Sequence, residues 1–137
     1  MNISEVMTTN VATLDVKSTA ADAANVMKEQ DIGDVVVTDG NRIRGIVTDR
    51  DIVVRAVAEN RNPQDVLLSE IISDDLVTLS PQDSVDDAVR LMAERALRRL
   101  PVVEDGKPVG IVTLGDLAVA RDPNSALADI SEAPPTS

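Results

Sequence analysis

The chain has no cysteine, no histidine and no Phe, Tyr or Trp. Without cysteine there is no disulfide and no thiolate nucleophile, and without histidine there is no Ser-His triad. The two absences together remove the ordinary ligands of zinc. The core must be aliphatic, and a bound base has no aromatic face to stack on. Basic residues are scarce: 13 Lys and Arg against 24 Asp and Glu give a formal net charge of −11. That balance argues against a nucleic-acid backbone or an anionic membrane as the main partner, and it favours solubility. No apolar run approaches the roughly 20 residues of a membrane helix. Met1–Asp15 carries Glu5 and no basic leader, so it does not read as a secretory signal. The expected location is the cytoplasm. With 137 residues, 43% of them hydrophobic, the chain can bury a core as one compact domain or as two fused half-domains.

What the chain has is an internal repeat without insertions. Gly45-Ile46-Val47-Thr48-Asp49-Arg50-Asp51 recurs as Gly110-Ile111-Val112-Thr113-Leu114-Gly115-Asp116, an offset of 65 residues. The same offset pairs Thr13 with Thr78, Asp22 with Asp87, Ala23 with Ala88 and Met27 with Met92. A unit this short buries its core poorly alone, so the copies should pack on each other and any site should occur twice. Each copy reads β-α-β-β-α. In the first, Val11–Leu14 is a strand. Thr19 caps a helix with Asp22 three residues on, and Ala20, Ala23, Ala24 and Met27 form its apolar stripe. Asp34–Thr38 and Ile43–Thr48 are strands joined by Asp39-Gly40-Asn41, and Asp49 opens a helix with Ile52, Val53, Ala56 and Val57 as its apolar residues.

The second copy follows the same order. Ser84 and Asp87 form the cap, Val85, Ala88, Val89 and Met92 the stripe, and Leu100–Val103 and Pro108–Thr113 the strands around Asp105-Gly106. Leu117–Ala120 belongs to the last helix. Pro101 lies inside a strand, which should therefore sit at an edge or start its pairing late. The copies are placed at 1–60 and 67–121, with a linker at 61–66 following Glu59 and Asn60, and a loose Pro-containing tail at 122–137.

The chemical signal is Gly-Ile-Val-Thr-x-x-Asp at a strand-to-helix junction, seen twice. A helix start offers free N–H groups to an anion, the Thr hydroxyl can join them, and the Asp carboxylate can accept from two vicinal hydroxyls. Seen once, Thr-x-x-Asp is an N-cap with an acidic first turn; its duplication at matched positions favours a ligand. Three other patterns fail. Gly110–Gly115 has P-loop spacing, but Asp116 and Leu117 stand where Lys and Ser/Thr are needed. Asp49 and Asp51 are not a catalytic pair, because Leu114 matches Asp49. Asp83, Asp86 and Asp87 lack the glycine and closing Glu of a calcium loop.

Val6-Met7-Thr8, Ile32–Val37, Gly45–Asp51, Ile71-Ile72-Ser73, Leu100–Val103 and Gly110–Asp116, in this order, resemble a tandem pair of cystathionine-β-synthase (CBS) domains, the Bateman module, of the stand-alone bacterial type. The resemblance covers Asn2–Arg121. It implies an α/β (α+β) fold of two pseudo-symmetric repeats packed through their sheets, with two clefts for AMP, ATP, S-adenosylmethionine or another adenosyl compound. One cleft would use Val112, Thr113 and Asp116 with Thr8, Ala12, Gly33 and Asp34. The other would use Val47, Thr48 and Asp51 with Ser73, Val77, Arg98 and Arg99. It further implies a regulatory module and not an enzyme, needing no cofactor, no metal, no nucleic acid and no membrane. Signalling would run through conformational or oligomeric change to a protein partner, and the module would pair as a homodimer through helices that here carry apolar surface at Asp51–Ala58 and Leu117–Ala120. An interaction or scaffold protein with vestigial clefts is the alternative. Gly33-Asp34 departs from the small or basic pair common in the family and puts a carboxylate where phosphate would lie. Arg98-Arg99, its match, suits phosphate.

Overall fold

The computed structural model describes residues 1–72 and 76–121. Ser73 and the tail at 122–137 lie outside them. The described chain forms two compact units. One is Ala12–Leu76; the other joins Met1–Val11 to the chain from Val77 onward.

The Ala12–Leu76 unit contains β1 (Thr13–Asp15), α1 (Ala20–Gln30), β2 (Asp34–Asp39), β3 (Arg42–Thr48), α2 (Asp49–Ile52) and a π-helical turn over Val53–Val57. It then adds α3 (Leu68–Ile71) after a 3-10 turn at Pro63–Asp65. The sheet order is β1-β2-β3, parallel on the first side and antiparallel on the second. α1 begins as a reciprocal capping box. Thr19 Oγ1 accepts from the Asp22 N–H at 3.1 Å, and Asp22 Oδ2 accepts from the Thr19 N–H at 3.0 Å. It ends on Asp31 in the left-handed region. Val35, Val37 and Val47 from the sheet, Ala20, Ala23 and Met27 from α1, and Ile52 and Ala56 from the second helix make the core.

The other unit holds α4 (Val85–Arg95), β4 (Arg99–Glu104), β5 (Lys107–Thr113) and α5 (Leu114–Arg121). Here the cap is one-sided: Ser84 Oγ accepts from the Asp87 N–H at 3.0 Å, while the Asp87 carboxylate turns to Arg90. The two hairpin turns differ by residue chemistry. Gly40 alone has positive φ between Asp39 and Arg42, as a type II′ turn requires; Asp105 and Gly106 are both positive, as type I′ requires.

Pro101 explains an asymmetry between the copies. In the first, the Val36 N–H donates to Ala12 O at 3.0 Å and opens a three-residue strand, Thr13–Asp15, two residues later than the Val11 expected. Pro101 stands at the match of Val36 and has no N–H. Pairing there begins one step on, from the Leu79 N–H to Pro101 O, and reaches only a single bridge at Leu79 and Val102. The ladder to β5 on the other side of the strand is unaffected.

A second feature was invisible in the repeat. The leading segment of each sequence copy packs in the unit formed by the body of the other. Ile3, wholly buried, joins Leu79, Val85, Ala88, Met92, Leu100 and Val102. Leu68, its match and equally buried, joins Val16, Ala20, Val35 and Met27. The backbone bonds repeat as well: Ile3 N–H to Asp83 O and Leu68 N–H to Ser18 O are both 2.8 Å. Val85 N–H reaches Met1 O, as Ala20 N–H reaches Val66 O.

Candidate functional site

The two Thr-x-x-Asp motifs fold into the same object. Thr48 Oγ1 accepts from the Asp51 N–H at 3.1 Å, and Asp51 Oδ2 accepts from the Thr48 N–H at 2.9 Å. Thr113 and Asp116 repeat both bonds at the same distances. Each hydroxyl acts here as acceptor and keeps its proton to donate. Each carboxylate spends Oδ2 on the backbone, and Oδ1 takes no partner among the described residues. All four side chains are half-buried.

The helix starts themselves are not equal. In the first copy every N–H from Thr48 to Asp51 is taken. Asp49 N–H donates to Gly33 O at 3.0 Å, and Arg50 N–H donates to Asp49 Oδ1 at 2.8 Å. The expectation of free N–H groups for an anion therefore fails here, because Asp49 supplies the anion from within. In the second copy Leu114 N–H donates to Arg98 O at 2.8 Å, and no carboxylate stands at Leu114. The Gly115 N–H takes no partner among the described residues. It opens on a groove of about 680 Å³ lined by Thr113, Gly115, Asp116, Glu5, Val6 and Val119 among others. Thr113 and Asp116 were named from the sequence. Gly115, Glu5 and Val6 were not among the expected site residues; the one available signal was Leu114-Gly115 standing where the first copy has Asp49-Arg50.

The remaining candidates fall into place unit by unit. Gly33 and Asp34 adjoin the first box: Gly33 through its carbonyl, Asp34 as the ladder partner of Thr48. Arg98 and Arg99 adjoin the second in the same two ways, through Leu114 and Thr113. The Arg98 side chain is exposed and has no ion pair among the described residues, neither with Glu94 nor with Glu104. Thr8 pairs by its backbone with Ile111, close to the second box, and Ala12 accepts from Val36. Val77 is half-buried against the core. Val47 and Val112, expected beside a base, are wholly buried; alternation along β3 and β5 turns their side chains into the cores.

Residues 3–57 and 68–122 each match the CBS domain family, the same span displaced by the repeat offset. The chain belongs to the CBS-domain family. It is 42% identical over 134 residues to the CBS domain-containing protein YhcV of Bacillus subtilis, covering 95% of both chains. It is 32% identical over 115 residues to Hypoxic response protein 1 of Mycobacterium tuberculosis, covering 83% of this chain and 80% of that one. A solved structure of Hypoxic Response Protein I with two coordinated zinc ions superposes with a TM-score of 0.79 at 30% identity, over 88% of this chain and 98% of that one. A CBS-domain protein from Burkholderia ambifaria MC40-6 gives a TM-score of 0.82 at 28% identity, over 91% and 96%. A hexameric CBS-CP12 protein from bloom-forming cyanobacteria gives 0.78 at 31%, over 90% and 73%. These neighbours agree with the mixed helix–strand tandem expected from the repeat. This CBS tandem, lacking Cys and His, has no thiolate or imidazole to offer a metal, and among the described residues no group of three acidic side chains is placed to hold one. No described helix is long and apolar enough to cross a membrane.

Proposed function

We propose that this CBS tandem is a regulatory sensor that binds an adenosine-containing ligand and passes the event on as a change of conformation or assembly to a protein partner, without catalysing a reaction. The observation that carries the reading is the second box. Thr113 and Asp116 are held rigid by their reciprocal bonds, yet retain one hydroxyl proton and one carboxylate oxygen, at a groove large enough for a nucleoside. A ribose presents two vicinal hydroxyls to such a carboxylate, and the open Gly115 N–H with Arg98 nearby suits a phosphate. The capping box at Thr19 and Asp22 has the same bonds but an exposed carboxylate, so capping alone does not account for a groove. Calorimetric titration with AMP, ATP, NAD and S-adenosylmethionine tests the reading: at least one should bind with a stoichiometry of one or two per chain. Absence of binding by all four would leave the scaffold reading in its place, and turnover of any of them in product analysis would replace it with an enzyme.

The scaffold reading has one observation of its own. The first box has no N–H left to offer, since Asp49 and Gly33 take the two that the box itself does not. That copy is suited to a neutral adenosine or a cationic adenosyl sulfonium, or to no ligand.

A further inference from the structure

The two leading segments carry the same pair of acceptors, and only one packing unit fills them with its own cations. In the Ala12–Leu76 unit, Glu70 Oε2 caps α3, accepting from the Leu67 N–H at 2.7 Å. Glu70 Oε1 accepts from Arg61 Nη2 at 2.7 Å, and Ile71 O accepts from Arg55 Nη1 at 2.7 Å. At the repeat offset, Leu67, Glu70 and Ile71 match Asn2, Glu5 and Val6 of the other unit. Glu5 Oε2 repeats the cap, accepting from the Asn2 N–H at 2.7 Å. Glu5 Oε1 and Val6 O take no partner among the described residues. The sequence gives the cause: Ala120 stands at the match of Arg55, and Ala126 at that of Arg61. Arg121, the next residue of α5, has its Nη2 3.8 Å from Asp86 Oδ1 on α4. Residues 122–137 contain neither lysine nor arginine. Glu5, Val6 and Ala120 all line the groove of about 680 Å³, and among the described residues no lysine or arginine lines it.

We propose that this end of the groove is a receptor for a guanidinium group brought by another molecule, held at Glu5 Oε1 and Val6 O as Arg61 and Arg55 are held at Glu70 Oε1 and Ile71 O. The Ala12–Leu76 unit sets the ligand class, because there the same acceptors at matched positions hold guanidinium nitrogens at charge-assisted distances. A carboxylate oxygen and a carbonyl only accept, so whatever satisfies both must donate, and beside Glu5 a cation is favoured. A guanidinium carries several N–H donors in one rigid plane and can serve a carboxylate and a neighbouring carbonyl together, which a compact ammonium does less well. Ala120 leaves the room that the Arg55 side chain takes in the other unit. The net charge of −11 draws a cation in from solution. This receptor does not depend on what Thr113 and Asp116 bind.

Ethylguanidinium is the probe. In proton–nitrogen correlation spectra of the full chain it should shift the Val6 and Ala120 amides saturably at millimolar concentration, and butylammonium should bind more weakly. Glu5→Gln keeps an acceptor for the Asn2 N–H and should weaken ethylguanidinium by about tenfold or more. Ala120→Arg should fill the receptor from within and abolish binding of the probe; should that variant fail to fold, Glu5→Gln decides alone. Agmatine set against an acetylated, amidated Gly-Arg-Gly peptide distinguishes a small molecule from a protein side chain as the carrier, the tighter binder naming it. The absence of saturable shifts at those amides would overturn the proposal. So would wild-type binding by Glu5→Gln or by a folded Ala120→Arg, or butylammonium binding as tightly as ethylguanidinium. A chain that binds no adenosyl compound should still show these shifts, so the two readings fail separately.

Discussion

At the scale of single residues, the proposed function gives each box aspartate two tasks, and they separate experimentally. Asp116 Oδ2 caps a helix, and on that proposal Oδ1, which takes no partner among the described residues, would hold the ligand. Asp116→Ala should therefore cost about 0.5–2 kcal/mol of stability through the lost cap. It should also cost about 1.5–3 kcal/mol of adenosyl affinity through lost charge-assisted hydrogen bonds. Combined with Asp51→Ala it should abolish binding while the chain still folds; calorimetry beside thermal melting checks both halves, and wild-type affinity in the double variant would sink the assignment. The boxes should also differ. With ATP, Asp116→Ala should lose more affinity than Asp51→Ala. Among the described residues the second box has an open Gly115 N–H and an Arg98 without an ion pair, whereas the first has Asp34 beside it and Asp49 on its own backbone. A like charge at about 4 Å is worth roughly 4 kcal/mol at an effective dielectric near 20, so even a strongly screened share ranks the two. Equal losses, or a larger loss from Asp51→Ala, would refute the ranking. The carboxylate count around each box was legible in the sequence. That Asp49 closes the Arg50 N–H was not, because a rotamer decides it.

At the scale of elements, Gly110 of the second copy's motif is set by approach of another segment and not by backbone freedom. Thr8 and Ile111 exchange backbone bonds of 2.9 and 3.0 Å, which lays Met7 over Gly110. A Cβ at Gly110 would lie 2.5 Å from Met7 Sδ and 3.1 Å from Thr8 O. Gly110→Ala should destabilise by about 1–3 kcal/mol. Met7→Ala in the same chain should recover part of that, and chemical denaturation of the single and double variants measures the coupling. A neutral Gly110→Ala would show that the leading segment is not held there. α3 offers a pH test. The Leu67 N–H and then Arg61, each 2.7 Å from the Glu70 carboxylate, hold that group below its usual range. A lowered folded pKa contributes stability that is present above the unfolded value and lost as pH falls through the folded one. The stability gap between wild type and Glu70→Gln should thus be largest at neutral pH and close as pH drops below about 4. A gap that widens in acid would contradict the assignment. The hairpin and helix order within each copy, the Thr19 cap and the delayed pairing at Pro101 could be read from residue chemistry; α3 and the reduction of the second copy's leading strand to a single bridge at Leu79 could not. The π turn over Val53–Val57 could not, since its residues are an ordinary helical stripe and the register is set by what Ile52 and Ala56 must reach.

At the scale of the whole molecule, the sequence repeat and the packing unit do not coincide. Periodicity divides the chain where the pattern restarts, but cores form where apolar side chains meet. The side chains of Ile3 and Met7 meet those of the second copy's body, as those of Leu68 and Ile72 meet the first's. No propensity or spacing encodes which body a leading segment joins, so this part of the architecture had no signature in one sequence. It has a consequence for dissection. A fragment cut at the repeat boundary, residues 1–60, loses Val66, Leu68, Ile71 and Ile72 from its core, all of them buried. At about 1.5–3 kcal/mol for each fully buried aliphatic side chain, that loss is comparable with the entire stability of a small domain. Residues 1–60 should therefore lack a cooperative melt, while residues 12–76, which follow the packing unit, should show one. In the intact chain, Ile3→Ala should cost about 2–5 kcal/mol, since Ile3 is wholly buried among Leu79, Val85, Ala88 and Met92. Thermal melts followed by far-UV circular dichroism decide all three. A cooperative transition in 1–60 with none in 12–76 would mean that the two bodies are the sequence copies after all.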